Sequence, residues 1–157
     1  MRLQPIFILS LFISIIFNLF IFFSFAREIN AEPIILNGDV TRVRDGDTLE
    51  IGHIAVRLAG ISAPETSQRL GPEATQFVKQ LILGKPIRCE LNGHKSYDRM
   101  VGTCYSNNID LAKIIISAGY AIDCPRYSNG KYAKYEKIKS KKIIKLPRYC
   151  KKYILAK

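Results

Sequence analysis

The chain has 157 residues, 48% of them hydrophobic, a size that suits one domain with a single core and excludes a string of domains. Its formal charge of +11 is unevenly placed: beyond Asp123 there are ten Lys and two Arg against Glu136 alone, whereas the first 123 residues balance twelve basic against twelve acidic side chains. Such a basic end attracts polyanions, nucleic acid or an anionic membrane face, and by itself it identifies none of them.

Residues 1–26 carry one charge, Arg2, ahead of an Ile/Leu/Phe-rich run that ends in the small-x-small triplet Ser24-Phe25-Ala26. This describes a secretory signal peptide. The run of about twenty residues also exceeds the usual signal core and is long enough to span a bilayer, so an uncleaved N-terminal membrane anchor is the alternative. On either reading residues 27–33 are a polar linker, and residues 34–157 form an exported domain: secreted, periplasmic or anchored facing away from the cytoplasm. The cysteines agree. Cys89, Cys104, Cys124 and Cys150 form no CxxC pair, which weighs against zinc, and an even number in an oxidising compartment points to two disulfides with three possible connectivities. Cys89–Cys104 is favoured, because both lie on strands flanking the turn around His94 to Arg99; Cys124–Cys150 would then tie the C-terminal segment back to the domain.

Residues 34–44 read as the first strand, interrupted by the turn or bulge signal Asn37-Gly38-Asp39. Asp45-Gly46-Asp47 makes a tight turn carrying two carboxylates. Residues 48–51 and 54–61 follow as strands, and Gly52-His53 between them fits a two-residue type II′ hairpin. That register sets Thr48 opposite Arg57 with Asp47 one step away, and the Ala63-Pro64 exit from the sheet delivers Glu65 just beyond it. Two carboxylates and a guanidinium are drawn together from separate strand ends. After a polar loop at 66–70, Gly71-Pro72-Glu73 opens a helix with Pro at its first position and an acid at the positive end of its dipole. Ala74, Phe77, Val78, Leu81 and Ile82 form its core face, and Gly84 and Pro86 end it. Residues 87–91 and 100–105 make two more strands. Asp110 caps a second helix with the stripe Leu111, Ile115 and Ala118, stopped by Gly119. A short extended piece at 120–122 precedes the Pro125 turn, and Gly130 precedes a last helix running to about Lys145 and ended by Pro147. This order fits an α+β domain: a small five-stranded OB-type Greek-key β-barrel with about three α-helices.

The motifs DGDTLEI from Asp45, AVRLAGISAPET from Ala55, GPEA from Gly71 and YDRMVG from Tyr97 resemble, in order, those of the staphylococcal nuclease (thermonuclease-like) family over roughly residues 38 to 147. The resemblance implies the OB barrel and a nuclease that uses calcium (Ca2+) to hydrolyse phosphodiester bonds of DNA or RNA. It puts Arg57, Glu65 and Arg99 at the family's catalytic arginine, glutamate and arginine positions. It puts Asp47 at a calcium-ligand position, Ala63 where a main-chain carbonyl ligates, and Asp45 just behind the metal. Tyr97 falls where the family sets a tyrosine against the nucleotide phosphate, and Tyr127 is a further candidate for stacking on a base. The residue types suit the chemistry: a guanidinium fork grips phosphate, a carboxylate deprotonates or orients water, and oxygen ligands hold a hard cation. One position departs. Ser62 stands where the family has a second ligating Asp, and a hydroxyl in place of a charge weakens calcium binding by roughly 1–3 kcal/mol at about 1.4 per tenfold. The expectation is a monomeric, exported, calcium-dependent nuclease weakened at its metal. The alternative is an OB-fold nucleic-acid or polyanion-binding module that scarcely cuts. His53 and His94, in turns, receive no role.

Overall fold

A computed structural model describes residues 32–151; the expected signal peptide or anchor and the linker as far as residue 31 lie outside the described residues, as do residues 152–157. The strands in chain order are β1 (Ile34–Asp45), β2 (Thr48–Ile51), β3 (Ile54–Leu58), β4 (Ile61–Ser62), β5 (Pro86–Ser96), β6 (Arg99–Ser106), β7 (Ile109–Asp110) and β8 (Ile122–Asp123). Antiparallel neighbours give the order β3-β2-β1-β5-β6, and a parallel pairing of β3 with β6 closes the five strands into the expected barrel. The β2–β3 hairpin has the anticipated register, Thr48 against Arg57 and Ile51 against Ile54, with Gly52 at φ 59° in its two-residue turn. Outside the barrel β4 pairs with β8, setting Ser62 against Ile122 and Ile61 against Asp123.

Three expectations about the strands need correction. The strand expected over residues 54–61 ends at Leu58, because the backbone turns at Ala59-Gly60, with Gly60 at φ 77°, and Ile61 then pairs with β8. β1 is unbroken through Asn37-Gly38-Asp39, which pair with Arg88, Ile87 and Pro86 of β5. Gly38 answers a close approach rather than a turn, since a Cβ there would lie 2.7 Å from Cγ2 of Ile51. The irregularities fall between Val40 and Arg42 and between Val43 and Asp45, where β1 pairs with β2. β5 and β6 also run longer than expected and meet in a two-residue turn at Tyr97-Asp98, Ser96 opposite Arg99.

The helices are α1 (Gly71–Ile82), α2 (Leu111–Ala118), α3 (Pro125–Ser128) and α4 (Ile138–Ile143). α1 begins and ends where expected and packs on β1 through Ala74, Val78 and Ile82. α2 is capped by Asp110 and stopped by Gly119, again as expected. The long last helix does not form. A 3-10 turn at Ala133–Tyr135 is followed by extended backbone at Glu136 and Lys137, and only residues 138–143 are helical. Glu136 explains the break: its Oε1 accepts the Asp123 N–H at 2.8 Å while Oε2 pairs with Lys141 at 2.6 Å, and this holds the chain against β8. The core runs through the barrel to the first two helices, with Leu49, Val56, Leu58, Ile61, Val78, Ile82, Leu111, Ile115 and Ile116 each at most 2% exposed. Each such side chain contributes about 1.5–3 kcal/mol by leaving water. The favoured disulfide, Cys89–Cys104, links directly opposed residues of β5 and β6, and Cys124–Cys150 is its companion.

Asp110 joins α2 to the C-terminal segment. Its Oδ1 accepts the N–H groups of Ala112 and Lys113 at 3.0 and 3.4 Å, while Oδ2 accepts the Tyr132 hydroxyl at 2.8 Å and Lys131 Nζ at 2.9 Å. Burial pushes the Tyr132 phenol up to about 12, with Lys131 opposing and Asp110 reinforcing the shift. A phenol with a raised folded pKa supports the fold fully below its unfolded value near 10, and that support is lost as pH climbs through the folded value. The unfolding midpoint of the wild type should therefore fall between about pH 10 and 12, and Tyr132→Phe should flatten that fall in a pH series of thermal melts. Asp110→Ala, which removes the helix cap and both tethers, should lower stability by about 2 kcal/mol in chemical denaturation.

Candidate active site

The turn between β1 and β2 carries Asp47 into the end of the barrel, where the carboxylate is buried and held on several sides. Its Oδ1 forms an ion pair with Nη1 of Arg57 and accepts the Thr48 hydroxyl at 3.2 Å; its Oδ2 accepts the main-chain N–H of Ala63 at 2.8 Å. Asp45 Oδ1 in turn accepts the Asp47 N–H at 2.9 Å, an Asx-type bond that shapes the turn. Arg57, on β3, also donates from Nη2 to the carbonyl of Ile61 at 3.2 Å. Barrel closure sets Arg57 against Val101 of β6, and Arg99 two residues earlier on that strand donates from Nη1 to Thr48 Oγ1 at 3.0 Å. Ser96 fixes the rest of the Arg99 head, its carbonyl and hydroxyl accepting from Nε and Nη2 at 3.2 and 3.0 Å. Thr48 thus bonds both to Asp47 and to Arg99, and the two arginines meet around one β2 residue.

Burial is the chief influence on the charges. It holds the Arg57 guanidinium below its usual range, and Arg99 adds to this by repulsion, while Tyr149, Asp45 and Glu65 pull the other way. Burial likewise pushes the Asp45 carboxyl up, opposed by Arg57, Thr48 and Arg99. The site therefore sets two guanidiniums among carboxylates, with burial working against the charge of both Arg57 and Asp45.

The structure brings Asp45, Asp47, Arg57, Ala63 and Arg99 together. Ser62 is buried beside them in β4. Glu65 lies exposed in the following loop; it shares a cavity of about 570 Å³ with Ser62 and Ala63, and it acts on Arg57 through its field rather than by contact. Tyr97 stands at the tip of the β5–β6 turn, 93% exposed, with φ 58° and its ring 5.9 Å from the Arg99 guanidinium carbon. Tyr127 lines a second cavity of about 520 Å³ together with Arg57.

Three contributors lie outside the sequence-derived set. Thr48 is the bridge between the arginines' strands. Gly71 admits the start of α1 against residues 65 and 66: a Cβ there would fall on the Glu65 carbonyl and lie 2.9 Å from the Thr66 Cα. Tyr149 lines both cavities. The adjacency of Tyr149 to Cys150 is the sequence signal that points to it.

The donors suit a hard divalent cation in kind and are sparse in number. Asp47 is the central carboxylate, Ser62 and Ala63 add a hydroxyl and a carbonyl, and Asp45 and Glu65 stand nearby. Among the described residues no three Asp, Glu, His or Cys side chains converge. Both Asp47 oxygens already accept from protein groups, so a cation and Arg57 compete for one carboxylate.

A family model described as staphylococcal nuclease homologue matches residues 55–143. Among curated proteins, the chain is 35% identical over 115 residues to the succinoglycan biosynthesis protein ExoI of Rhizobium meliloti (strain 1021), covering 66% of this chain and 59% of that one. It is 33% identical over 91 residues to a protein named uncharacterized endonuclease from Escherichia coli O157:H7, covering 55% and 60%. It is 34% identical over 73 residues to a micrococcal nuclease of Shigella flexneri, covering 44% and 42%. The chain therefore spans no more than about 60% of the length of these relatives.

The Asp47–Arg57 pair yields a stability test. Asp47→Ala leaves a buried guanidinium without its carboxylate and should cost about 3 kcal/mol in urea denaturation, whereas the double change Asp47→Leu with Arg57→Met should recover most of that loss.

Proposed function

The chain belongs to the family of staphylococcal nuclease homologues, and from that premise we propose that it hydrolyses phosphodiester bonds of DNA or RNA at the Arg57–Arg99 end of the barrel. The observation that carries this reading is the convergence of Arg57 and Arg99 on Thr48, beside Asp47 and the loop leading to Glu65.

Cleavage puts extra negative charge on a phosphate as water attacks, and groups fixed in advance around that phosphate lower the barrier without reorganising. Arg57 and Arg99 are such groups. Each retains N–H donors beyond those used in the bonds above, and each is anchored by its remaining bonds, so a bound phosphate meets two oriented forks. Glu65, exposed at the rim, takes the proton of the attacking water. Calcium, where bound, supplies Lewis-acid help to the phosphate. Asp47, Ser62 and Ala63 would hold it, with Asp45 behind Asp47. The Ser62 hydroxyl makes that site weak, because it removes one anionic ligand while Arg57 still competes for Asp47. Tyr97 and Tyr127 flank the arginines as contacts for the nucleotide, and the basic C-terminal residues draw the polyanion in. Two disulfides support export of the domain to an oxidising compartment, by a cleaved signal or an N-terminal anchor.

Ser62 also favours a second reading, an OB-fold module that binds nucleic acid and scarcely cuts it. Cleavage of single-stranded and duplex substrates, with and without millimolar calcium, separates the two. On the nuclease reading the wild type cuts with calcium, and Arg57→Ala, Arg99→Ala and Glu65→Gln each lower kcat/KM by about 10²–10⁴-fold. Ser62→Asp should lower the calcium concentration for half-maximal rate by roughly tenfold. Tight nucleic-acid binding without metal-dependent cleavage, in the wild type and in Ser62→Asp alike, leaves the binding module as the function.

A further inference from the structure

The basic residues of the C-terminal half reach well beyond the candidate site. Asp110, which caps α2, pairs with Tyr105 at the end of β6 away from Arg99, about 20 Å along the strand at roughly 3.3 Å per residue. Beside α2, Tyr135 is half-buried and packed against the core, so its ring is fixed. Two ammonium groups approach that ring, Lys113 Nζ of α2 at 5.0 Å from the centroid and Lys134 Nζ at 5.2 Å. Lys137 follows at the other end of α2, its Nζ donating to the Ala118 carbonyl at 3.4 Å and its methylenes lying against Gly119. All three lysines are exposed.

Local stability does not account for these charges. Lys113 sits in the first turn of α2, where the helix dipole disfavours a cation. Neither α2 nor α4 contains an acid, so the lysines lack the i,i+4 carboxylates of an ordinary solvated face. The acids close by are already engaged: Asp110 by Lys131, Tyr132 and the helix cap, Glu136 by Lys141 and the Asp123 N–H. Among the described residues, Lys113, Lys134 and Lys137 form no ion pair. The fold thus gathers three ammonium groups along a helix about 12 Å long, and their countercharge comes from solution. From Lys137 the chain continues through α4, about 9 Å long, with Lys139 and Lys142 exposed. It then reaches Lys145, which lines the cavity beside Glu65. Basic residues therefore continue from the candidate site to α2.

Resting on the nuclease reading, we propose that Lys113, Lys134 and Lys137 form a second contact for the phosphate backbone of the nucleic acid, holding the part of a long strand that leads away from Arg57. The contact is electrostatic: each lysine displaces a condensed counterion from a phosphate, so it adds affinity and reads no base. A trinucleotide fills the catalytic end and stops short of α2, whereas a strand longer than the about 4–16 nucleotides an OB-fold covers extends to it. The continuity of these lysines with the cavity beside Glu65 favours the nucleic acid, rather than a lipid surface, as the occupant.

The test uses the full chain with fluorescein-labelled trithymidylate and a thymidylate strand of about 25 nucleotides, by fluorescence anisotropy in EDTA over a salt series. Cleavage of both at millimolar calcium is measured in parallel. Lys113→Gln with Lys134→Gln should weaken binding of the long strand about tenfold, lower its logarithmic salt slope by about 1.4, and leave the trimer within about twofold. The calcium-dependent kcat/KM should follow, about tenfold lower on the long strand and unchanged on the trimer. Lys79→Gln with Lys85→Gln removes the same charge from exposed positions at α1 and should change neither. An equal loss on both lengths, a loss matched by the Lys79 and Lys85 variant, or no loss overturns the proposal, as does a wild type that binds trimer and long strand alike. If the Lys113 and Lys134 variant loses binding to phosphatidylglycerol vesicles and keeps the long strand, the face is a membrane contact and the proposal also fails. Selective loss in EDTA with no cleavage at any calcium level sinks the nuclease reading and leaves the second contact standing. Cleavage that the variant retains on both lengths does the reverse.

Discussion

Closing a five-stranded sheet requires its outermost strands to meet, and here β3 meets β6 in parallel, with Val56 beside Met100, Arg57 beside Val101 and Leu58 beside Gly102. No short turn can create that pairing. It is made by everything between residues 58 and 99, including α1 and the long β5. Once it exists, Arg99 at the start of β6 has to lie near Arg57 and near Thr48, the antiparallel partner of Arg57 on β2. Two guanidiniums that repel one another are thereby held together by backbone ladders, and the repulsion is relieved locally by Asp47, Asp45 and the hydroxyl of Thr48. The core provides the stabilisation for this: Leu49, Val56 and Leu58 on the same strands are fully buried, and their burial outweighs the cost of crowding like charges at one end.

The elements legible in the sequence were those whose cause is local. Gly52-His53 fixes a hairpin register by turn chemistry, Pro72 and Glu73 mark a helix start, and Asp110 and Gly119 bracket α2; the structure has each of these. The Cys89–Cys104 bond followed from two strands flanking one turn. Where the cause is distant, the sequence pattern misleads. Asn37-Gly38-Asp39 has the composition of a turn, yet Gly38 is there because Ile51, thirteen residues on, packs over it. The C-terminal residues have the composition of a helix, yet Glu136 is drawn off the helical path by the N–H of Asp123. Of the candidate site, the four motifs contain Asp47, Arg57, Glu65 and Arg99; they contain Gly71 as well, yet its close approach to Glu65, like the position of Tyr149 on two cavity walls, comes from tertiary packing.

The same distinction orders the site's rigidity. Asp47, Thr48, Arg57 and Arg99 lie on or beside the barrel strands and are cross-linked by hydrogen bonds and an ion pair. Glu65 sits in a loop whose shape is set by the Gln68 side-chain oxygen accepting the Glu65 N–H at 3.1 Å and by the tight approach of Gly71. On the proposed function this would put the phosphate-binding half on strands and the water-activating half on a loop, a division in which the stabilising charges stay fixed while the base reaches a water whose position depends on the substrate.

Ser62 can be understood in these terms. It is 2% exposed, its backbone is committed to β8, and Arg57, which donates to the carbonyl of the preceding residue Ile61, is already paired with Asp47. A carboxylate at that position would be a second buried anion whose partner has to come from outside the protein, and without a cation it would be costly to keep charged. A hydroxyl removes that cost. On the proposed function the trade runs in one direction: the barrel end would depend less on a bound cation for its own stability, and its hold on such a cation would be weaker. The Arg57–Asp47 pair already brings a positive charge from β3 to the carboxylate where the family resemblance places calcium.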